Sequence, residues 1–268
     1  MEIFYRLNLI FHGIVPLAGL CAAAAIAGSD DRKVPPILKE LRKELSPAFE
    51  QMGRPMHLFH LDPSKAALVI IDMQNFSCAP SQGAAMTDIG KVTSGINKLA
   101  GCCRSANVPV IWVLHNVTAG STGNDAGLYA AFHERTRLKE LYNKGKGTYI
   151  FPDMHFDPST DHVVFKNRYS AFLSDPPELR RKLEQLKRTQ LIVAGIAANV
   201  CVESTVRDAM QLDYEVALAA DGVATFDQAL LKSTLKNTML FFGDVLTTQE
   251  IMDRLKTRDD DPSHSLRR

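Results

Sequence analysis

Three segments of this chain end in side chains that together could break an amide-type C–N bond. The apolar run Ala66 to Ile71 stops at Asp72, the run His162 to Phe165 stops at Lys166, and Leu191 to Ala194 passes through a small-residue turn to Cys201. Runs of this length read as strands, and in open α/β sheets the carboxyl ends of the strands open onto the ligand crevice. A thiol at the first turn of a helix lies near unpaired N–H groups and the positive end of the helix dipole, which favour thiolate. Cys201 is therefore a candidate nucleophile able to attack a carbonyl near neutral pH. Asp72 is the candidate base that takes the thiol proton and returns it to the departing amine, and Lys166 is the cation that keeps both partners ionised. The backbone N–H groups of Ala197 and Cys201 are candidates for the oxyanion hole. Asn75, Arg168 and Tyr169 adjoin these positions and are candidate substrate-binding groups, the forked guanidinium of Arg168 suiting a carboxylate. Each residue alone also has a plainer reading. Cys201 could simply pack a helix start, Asp72 and Lys166 could be solvated strand ends, and Asn75, Arg168 and Tyr169 could be packing or surface residues.

The elements that must position these groups are legible as an alternation. Strand-like runs occur at Ala66 to Ile71, Val108 to Leu114, His162 to Phe165, Gln190 to Ala194, Tyr214 to Ala219 and Phe241 to Leu246. Helix-like stretches lie around Ile89 to Ala106, Pro177 to Leu186, Val202 to Leu212, Gln228 to Thr238 and Thr247 to Leu255, with Asp175 and Asp227 as expected caps. Uninterrupted apolar strands alternating with helices predict an α/β fold: a six-stranded parallel, doubly wound sheet with helices on both faces, a Rossmann-like three-layer arrangement. The segment Thr118 to Pro158, with glycines at 120, 123, 127, 145 and 147, is long for a connection. It predicts an insertion with one helix, Tyr129 to Tyr142, that lids the crevice, meets a neighbouring subunit or is an ordinary surface excursion.

Composition sets limits. The chain of 268 residues, 46% of them apolar, suits one domain of about 200 residues plus an extension. A net charge of +1, from 31 basic and 30 acidic residues, together with the lack of a basic run interleaved with aromatics, argues against nucleic acid as a partner. Cysteines at 21, 78, 102, 103 and 201 show neither zinc spacing nor a disulfide framework. There is no glycine-rich phosphate loop, so no nucleotide cofactor is expected. His115 closes the run Val110 to Leu114, but a lone histidine is more often a hydrogen-bonded structural or substrate-facing group than a metal ligand. No metal is expected. Residues 1–28 form a hydrophobic segment in which Leu7 to Ala27 could be a secretory signal or a membrane anchor, so membrane contact is expected, if at all, only through residues 7–27. Residues 29–60 read as a linker or an arm packed on the domain, 61–257 as the hydrolase domain, and 258–268 as a polar tail. The reduced thiol favours a cytoplasmic location, with secretion or membrane anchoring as the alternative.

Taken in order, Asp-Met-Gln-Asn from Asp72 to Asn75, Lys-x-Arg-Tyr-Ser-Ala-Phe from Lys166 to Phe172, and Asn-Val-Cys-Val-Glu-Ser-Thr-x-Arg-Asp from Asn199 to Asp208 resemble the isochorismatase-like cysteine hydrolases. The resemblance spans about Asp62 to Leu255 and is closest in motif to the ureidoacrylate and biuret amidohydrolase branch. It implies a catalytic triad on Asp72, Lys166 and Cys201, a cis peptide at Ile196-Ala197 that aims an N–H into the oxyanion hole, a small-molecule substrate and a homo-oligomer. It also implies the activity: cysteine-dependent cleavage of a C–N bond in a small ureido, carbamoyl or amide compound through a thioester. The alternatives are a vinyl ether hydrolase of the isochorismatase type, or a non-catalytic member that binds a metabolite or a protein. Nicotinamidases of the family carry an Asp-x-His metal pair, which is not found after Asp72. One departure stands out, Ala198 in place of the family's usual threonine.

Overall fold

Strands that are apolar on every residue need cover on both faces, and the chain supplies it. The computed structural model describes residues 34–82, 86, 88–116, 128–135 and 146–256. Among them are strands β1 (Ala66–Ile71), β2 (Val110–His115), β3 (His162–Lys166), β4 (Gln190–Ile196), β5 (Glu215–Ala224) and β6 (Asp244–Leu246). They pair in the order β3-β2-β1-β4-β5-β6, every pairing parallel, which is the doubly wound α/β sheet expected from the sequence. The helices are α1 (Pro36–Gln51), α2 (Ile89–Ser105), α3 (Leu128–Arg135), α4 (Glu178–Leu186), α5 (Glu203–Gln211), α6 (Gln228–Asn237) and α7 (Thr248–Lys256).

Period-two alternation sorts the strand side chains between two cores. Ala67, Val69 and Ile71 of β1 join a cluster with Leu41 of α1, Leu183 of α4, Val206 of α5 and Leu235 of α6. Ala66, Leu68 and Ile70 join the opposite cluster with Ile96 and Leu99 of α2 and Ile251 of α7. In α1, Leu38, Leu41, Leu45 and Phe49 recur at helical spacing and are all buried, while Arg42 makes a two-pronged contact with Glu250 of α7 at 2.8 Å on each arm. The arm from Val34 onward is thus built into the core. The apolar segment 1–28 and the tail 258–268 lie outside the described residues, as does the part of the expected insertion helix beyond Arg135. No helix among the described residues is long and apolar enough to cross a membrane.

Two local expectations are corrected. Asp175 does not cap α4. Pro177 holds that position without a side-chain hydrogen bond, because consecutive prolines keep their predecessors out of helical geometry and delay the helix. The last strand starts at Asp244 rather than Phe241, since residues Thr238–Phe242 continue α6 as a π-helical turn. Asp227, by contrast, caps α6 as expected, accepting from the N–H groups of Ala229 at 2.7 Å and Leu230 at 3.1 Å.

Strands approach closely where Ile71 of β1 pairs with Gly195 of β4. Gly195 has φ +119°, and a Cβ added there would overlap the backbone of Ile71. Gly195→Ala should therefore destabilise the fold by about 3 kcal/mol or more, read as a fall of roughly 10 °C in Tm. A Tm within about 2 °C of the parent would contradict this packing.

Candidate active site

A parallel sheet brings the carboxyl ends of its strands to one edge, and register decides which of them meet. Ile71 pairs with Val113, and His115 pairs with Lys166, so the ends of β1, β2 and β3 line up. Asp72 then leaves the sheet in the left-handed region, φ +53°, a conformation that aspartate tolerates better than most residues. Its N–H still donates to the Val113 carbonyl at 2.9 Å, which holds the kink against β2. Two residues on, the buried Gln74 clasps the end of β2, accepting from the His115 N–H at 2.8 Å and donating to the His115 carbonyl at 3.1 Å and the Thr148 carbonyl at 2.7 Å.

Cys201 arrives from the other side of β1. After β4, the Ile196-Ala197 peptide is cis, and Ala198–Val202 form a π-helical turn that leads into α5. The Ala197 carbonyl accepts from the N–H groups of Val200 at 3.1 Å and Val202 at 3.2 Å, and Thr205 Oγ1 donates to the Cys201 carbonyl at 2.7 Å. The same hydroxyl accepts from the Ala171 N–H at 3.1 Å, which ties the cysteine turn to the segment after β3. Ala198, in place of the family's usual threonine, is fully buried within an apolar cluster, where a methyl packs without needing a hydrogen-bond partner.

The three groups converge. Lys166 Nζ lies 2.9 Å from Asp72 Oδ2 and 3.3 Å from Cys201 Sγ, and it donates to the Arg168 carbonyl at 3.1 Å. Asp72 and Lys166 are 2% and 1% exposed, so this ion pair is shut away from water, while Cys201 keeps 7%. Burial opposes the Lys166 ammonium, yet the Asp72 carboxylate and the neighbouring sulfur outweigh it and hold the lysine pKa above its ordinary value. Burial pushes the Asp72 carboxyl up, with the ammonium and the thiol pulling the other way. Burial and then the Asp72 charge push the Cys201 thiol well up, Lys166 opposing. The sequence reading of a thiolate favoured by a helix terminus is thus reversed at rest. Desolvation and an adjacent carboxylate outweigh the fractional charge of a helix end. Among the described residues, Asp72 Oδ1 has no hydrogen-bond partner, whereas Oδ2 is held by the ammonium.

The three residues expected to meet substrate are placed differently. Asn75 donates through Nδ2 to the Lys146 carbonyl at 2.9 Å, fastening the 146–151 segment to the turn after β1. Arg168 donates to the Asn167 carbonyl at 2.8 Å, and its guanidinium carbon lies 5.0 Å over the Tyr129 ring. Tyr169 is half-buried, and burial, then Cys201, raise its pKa. Around it gather Tyr129, at 5.0 Å between ring centroids, and His133, at 5.6 Å, both from α3. Sequence reasoning did not assign these two residues, and it left His115 as a lone histidine. His115 is buried beside these three groups, with Nδ1 3.4 Å from Lys166 Nζ. Its position at the end of an apolar strand, like that of Asp72 and Lys166, was the available signal. Among the described residues, Asp72, His115 and Cys201 bring three potential metal-ligand atoms within 4.8 Å of one another. Lys166 Nζ lies within 3.4 Å of all three groups, so a metal would have to compete with a cation already there.

Comparison with known proteins agrees with this fold. A family model described as an isochorismatase domain matches residues 66–250. The ureidoacrylate amidohydrolase RutB of Pseudomonas syringae pv. syringae is 31% identical over 223 residues, covering 77% of this chain and 90% of that protein. RutB of Methylobacterium radiotolerans is 30% identical over 204 residues, covering 68% of this chain and 76% of that protein. The crystal structure of a cysteine hydrolase from Pseudomonas syringae pv. phaseolicola 1448A superposes with a TM-score of 0.67 at 26% identity, covering 76% of this chain and 99% of that one. With its strand order, its convergent strand ends and a domain match over most of its length, the chain belongs to the isochorismatase family.

Proposed function

We propose that the protein is a cysteine-dependent amidohydrolase that cleaves a C–N bond of a small ureido, carbamoyl or amide compound. The observation that carries this reading is the single buried ammonium of Lys166 touching both the Asp72 carboxylate and the Cys201 sulfur. Cys201 starts as a thiol. As Sγ bonds to the substrate carbonyl carbon, its proton passes to Asp72, whose Oδ1 is the oxygen not engaged by lysine. The ammonium stays in place and offsets negative charge on sulfur during the transfer. The tetrahedral oxyanion is directed at the N–H groups of Ala197 and Cys201, and its collapse breaks the C–N bond as Asp72 returns the proton to the departing nitrogen. The acyl group is left on sulfur as a thioester. Asp72 then takes a proton from an entering water, whose oxygen bonds to the acyl carbon and expels the sulfur, and Asp72 passes that proton to the sulfur to restore the thiol.

Urea-like carbonyls are electron-rich, so a thiolate formed only in contact with substrate, together with paired oxyanion donors, suits them. The ureidoacrylate activity in the names of the curated relatives supports the same substrate class. Arg168 and Tyr169 are the groups we assign to the far end of the substrate, the guanidinium to a carboxylate. A cytoplasmic setting keeps the thiol reduced, and assembly as a homo-oligomer is supported by exposed Phe165 on the edge strand β3 and Leu173 just after it.

Ammonia release from ureido acids, biuret, carbamoyl amino acids and nicotinamide tests the activity directly. Cys201→Ala should lower kcat by about a thousandfold or more while leaving the circular dichroism spectrum and Tm near those of the parent. Parental turnover in that variant would end the reading. Because the resting sulfur is a thiol, Cys201 alkylation by iodoacetamide should accelerate by about tenfold per pH unit between roughly pH 7 and 9. A rate already level at neutral pH would mean that the thiolate is preformed.

A further inference from the structure

Lys166 carries three N–H donors but faces four acceptors. These are Asp72 Oδ2 at 2.9 Å, the Arg168 carbonyl at 3.1 Å, Cys201 Sγ at 3.3 Å and His115 Nδ1 at 3.4 Å. The first two accept in every state of the enzyme, Asp72 through Oδ2 even when its other oxygen carries the proton. The other two compete for the third N–H. A thiol or thioester sulfur is a weak acceptor, whereas a thiolate is a strong one.

An ammonium can only donate, so the contact with Lys166 makes Nδ1 of His115 the acceptor and places the imidazole proton on Nε2. That proton points to Tyr129 Oη, 3.4 Å away on α3. The Gln74 clasp on both backbone groups of His115 fixes where the ring starts from. Resting on the catalytic reading above, we infer that His115 is a positioning residue for Lys166. It takes the third ammonium N–H whenever the sulfur is uncharged and yields it when the thiolate forms. Tyr129 secures the tautomer that makes the exchange work, so the insertion helix has a direct hold on the triad.

The ring must be neutral for this role, and its surroundings keep it so. Burial, then the charge of Lys166, then His133 hold the His115 pKa well below the usual histidine range. Among the described residues, the titratable and charged groups near Lys166 are Asp72 from the end of β1, His115 from the end of β2, Cys201 from the π-helical turn, His133 from α3, and Arg168 and Tyr169 from the segment after β3. Of these, only His115 offers a neutral side-chain nitrogen within hydrogen-bond reach of Nζ.

The test compares His115→Phe, which fills the space without an acceptor, with His115→Asn, whose amide can present an oxygen near the position of Nδ1. In the full-length protein, the basic limb of kcat/KM against pH reports loss of the ammonium. In His115→Phe that limb should fall by about one pH unit, since the ammonium of the thiol state has lost a partner. His115→Asn should bring it back to the parental position, and Tyr129→Phe should move it down by less. An unmoved limb in His115→Phe, or equal shifts in the Phe and Asn variants, would overturn the inference. The rise of Cys201 alkylation with pH should be displaced downward in the same order, read as a faster rate at a fixed pH of about 8, and this profile needs no substrate. If the parent turns nothing over, the catalytic reading fails while this second profile still decides the role of His115. Should the Phe variant not fold, the parent against His115→Gln carries the test. Glutamine matches the position of Nε2 rather than Nδ1 and should lower the limb, and a parental limb there would overturn the inference.

Discussion

The site depends on a buried ion pair. Lys166 and Asp72 meet at 2.9 Å with almost no exposure, and each charge costs several kcal/mol to remove from water. Their attraction offsets that cost only while the remaining donors and acceptors are satisfied. The Arg168 carbonyl, the Cys201 sulfur and the His115 ring around the ammonium meet that condition. Loss of one partner would leave the other as an uncompensated buried charge, so the segments that carry these groups are constrained together. Much of the surrounding hydrogen bonding can be understood as bracing for that contact.

The bracing follows from the sheet. Parallel strands put their carboxyl ends on one side, but β3 and β1 are separated by β2, and the lysine stem must cross that gap. The residue it crosses beside is His115, register partner of Lys166 and clasped by Gln74 from the turn after β1. The sulfur comes from the opposite direction, off β4, where Gly195 allows the strands to approach closely enough. Thr205 joins the two approaches through its hydroxyl, accepting from the Ala171 N–H and donating to the Cys201 carbonyl. The same burial that keeps water from the pair also raises the Cys201 thiol pKa.

Several features could be seen in the linear chain. β1 matches its apolar run residue for residue, and the cap at Asp227 was legible from residue type alone. Where local signals compete, the reading slipped. Asp175 is a good cap by type, but the prolines after it displace the helix start. Phe241 and Phe242 read as strand by hydrophobicity, yet they extend a helix as a π-helical turn. His115 closes its strand as Asp72 and Lys166 close theirs, but its part in the site depends on β2 lying between β1 and β3. Strand order cannot be read from spacing along the chain.

Residue type and local periodicity were enough to specify the kinds of element, the parallel architecture, and the acid, lysine and cysteine at their strand ends, because each of these follows from interactions within a few residues of the chain. The charge states, the neutral histidine under the ammonium, the use of Asn75 as a fastener and the aromatic group from α3 around Tyr169 came only with packing. They depend on which distant groups share a buried volume of low dielectric. There desolvation and contacts of about 3 Å outweigh the local effects, such as a helix dipole, that a sequence makes visible.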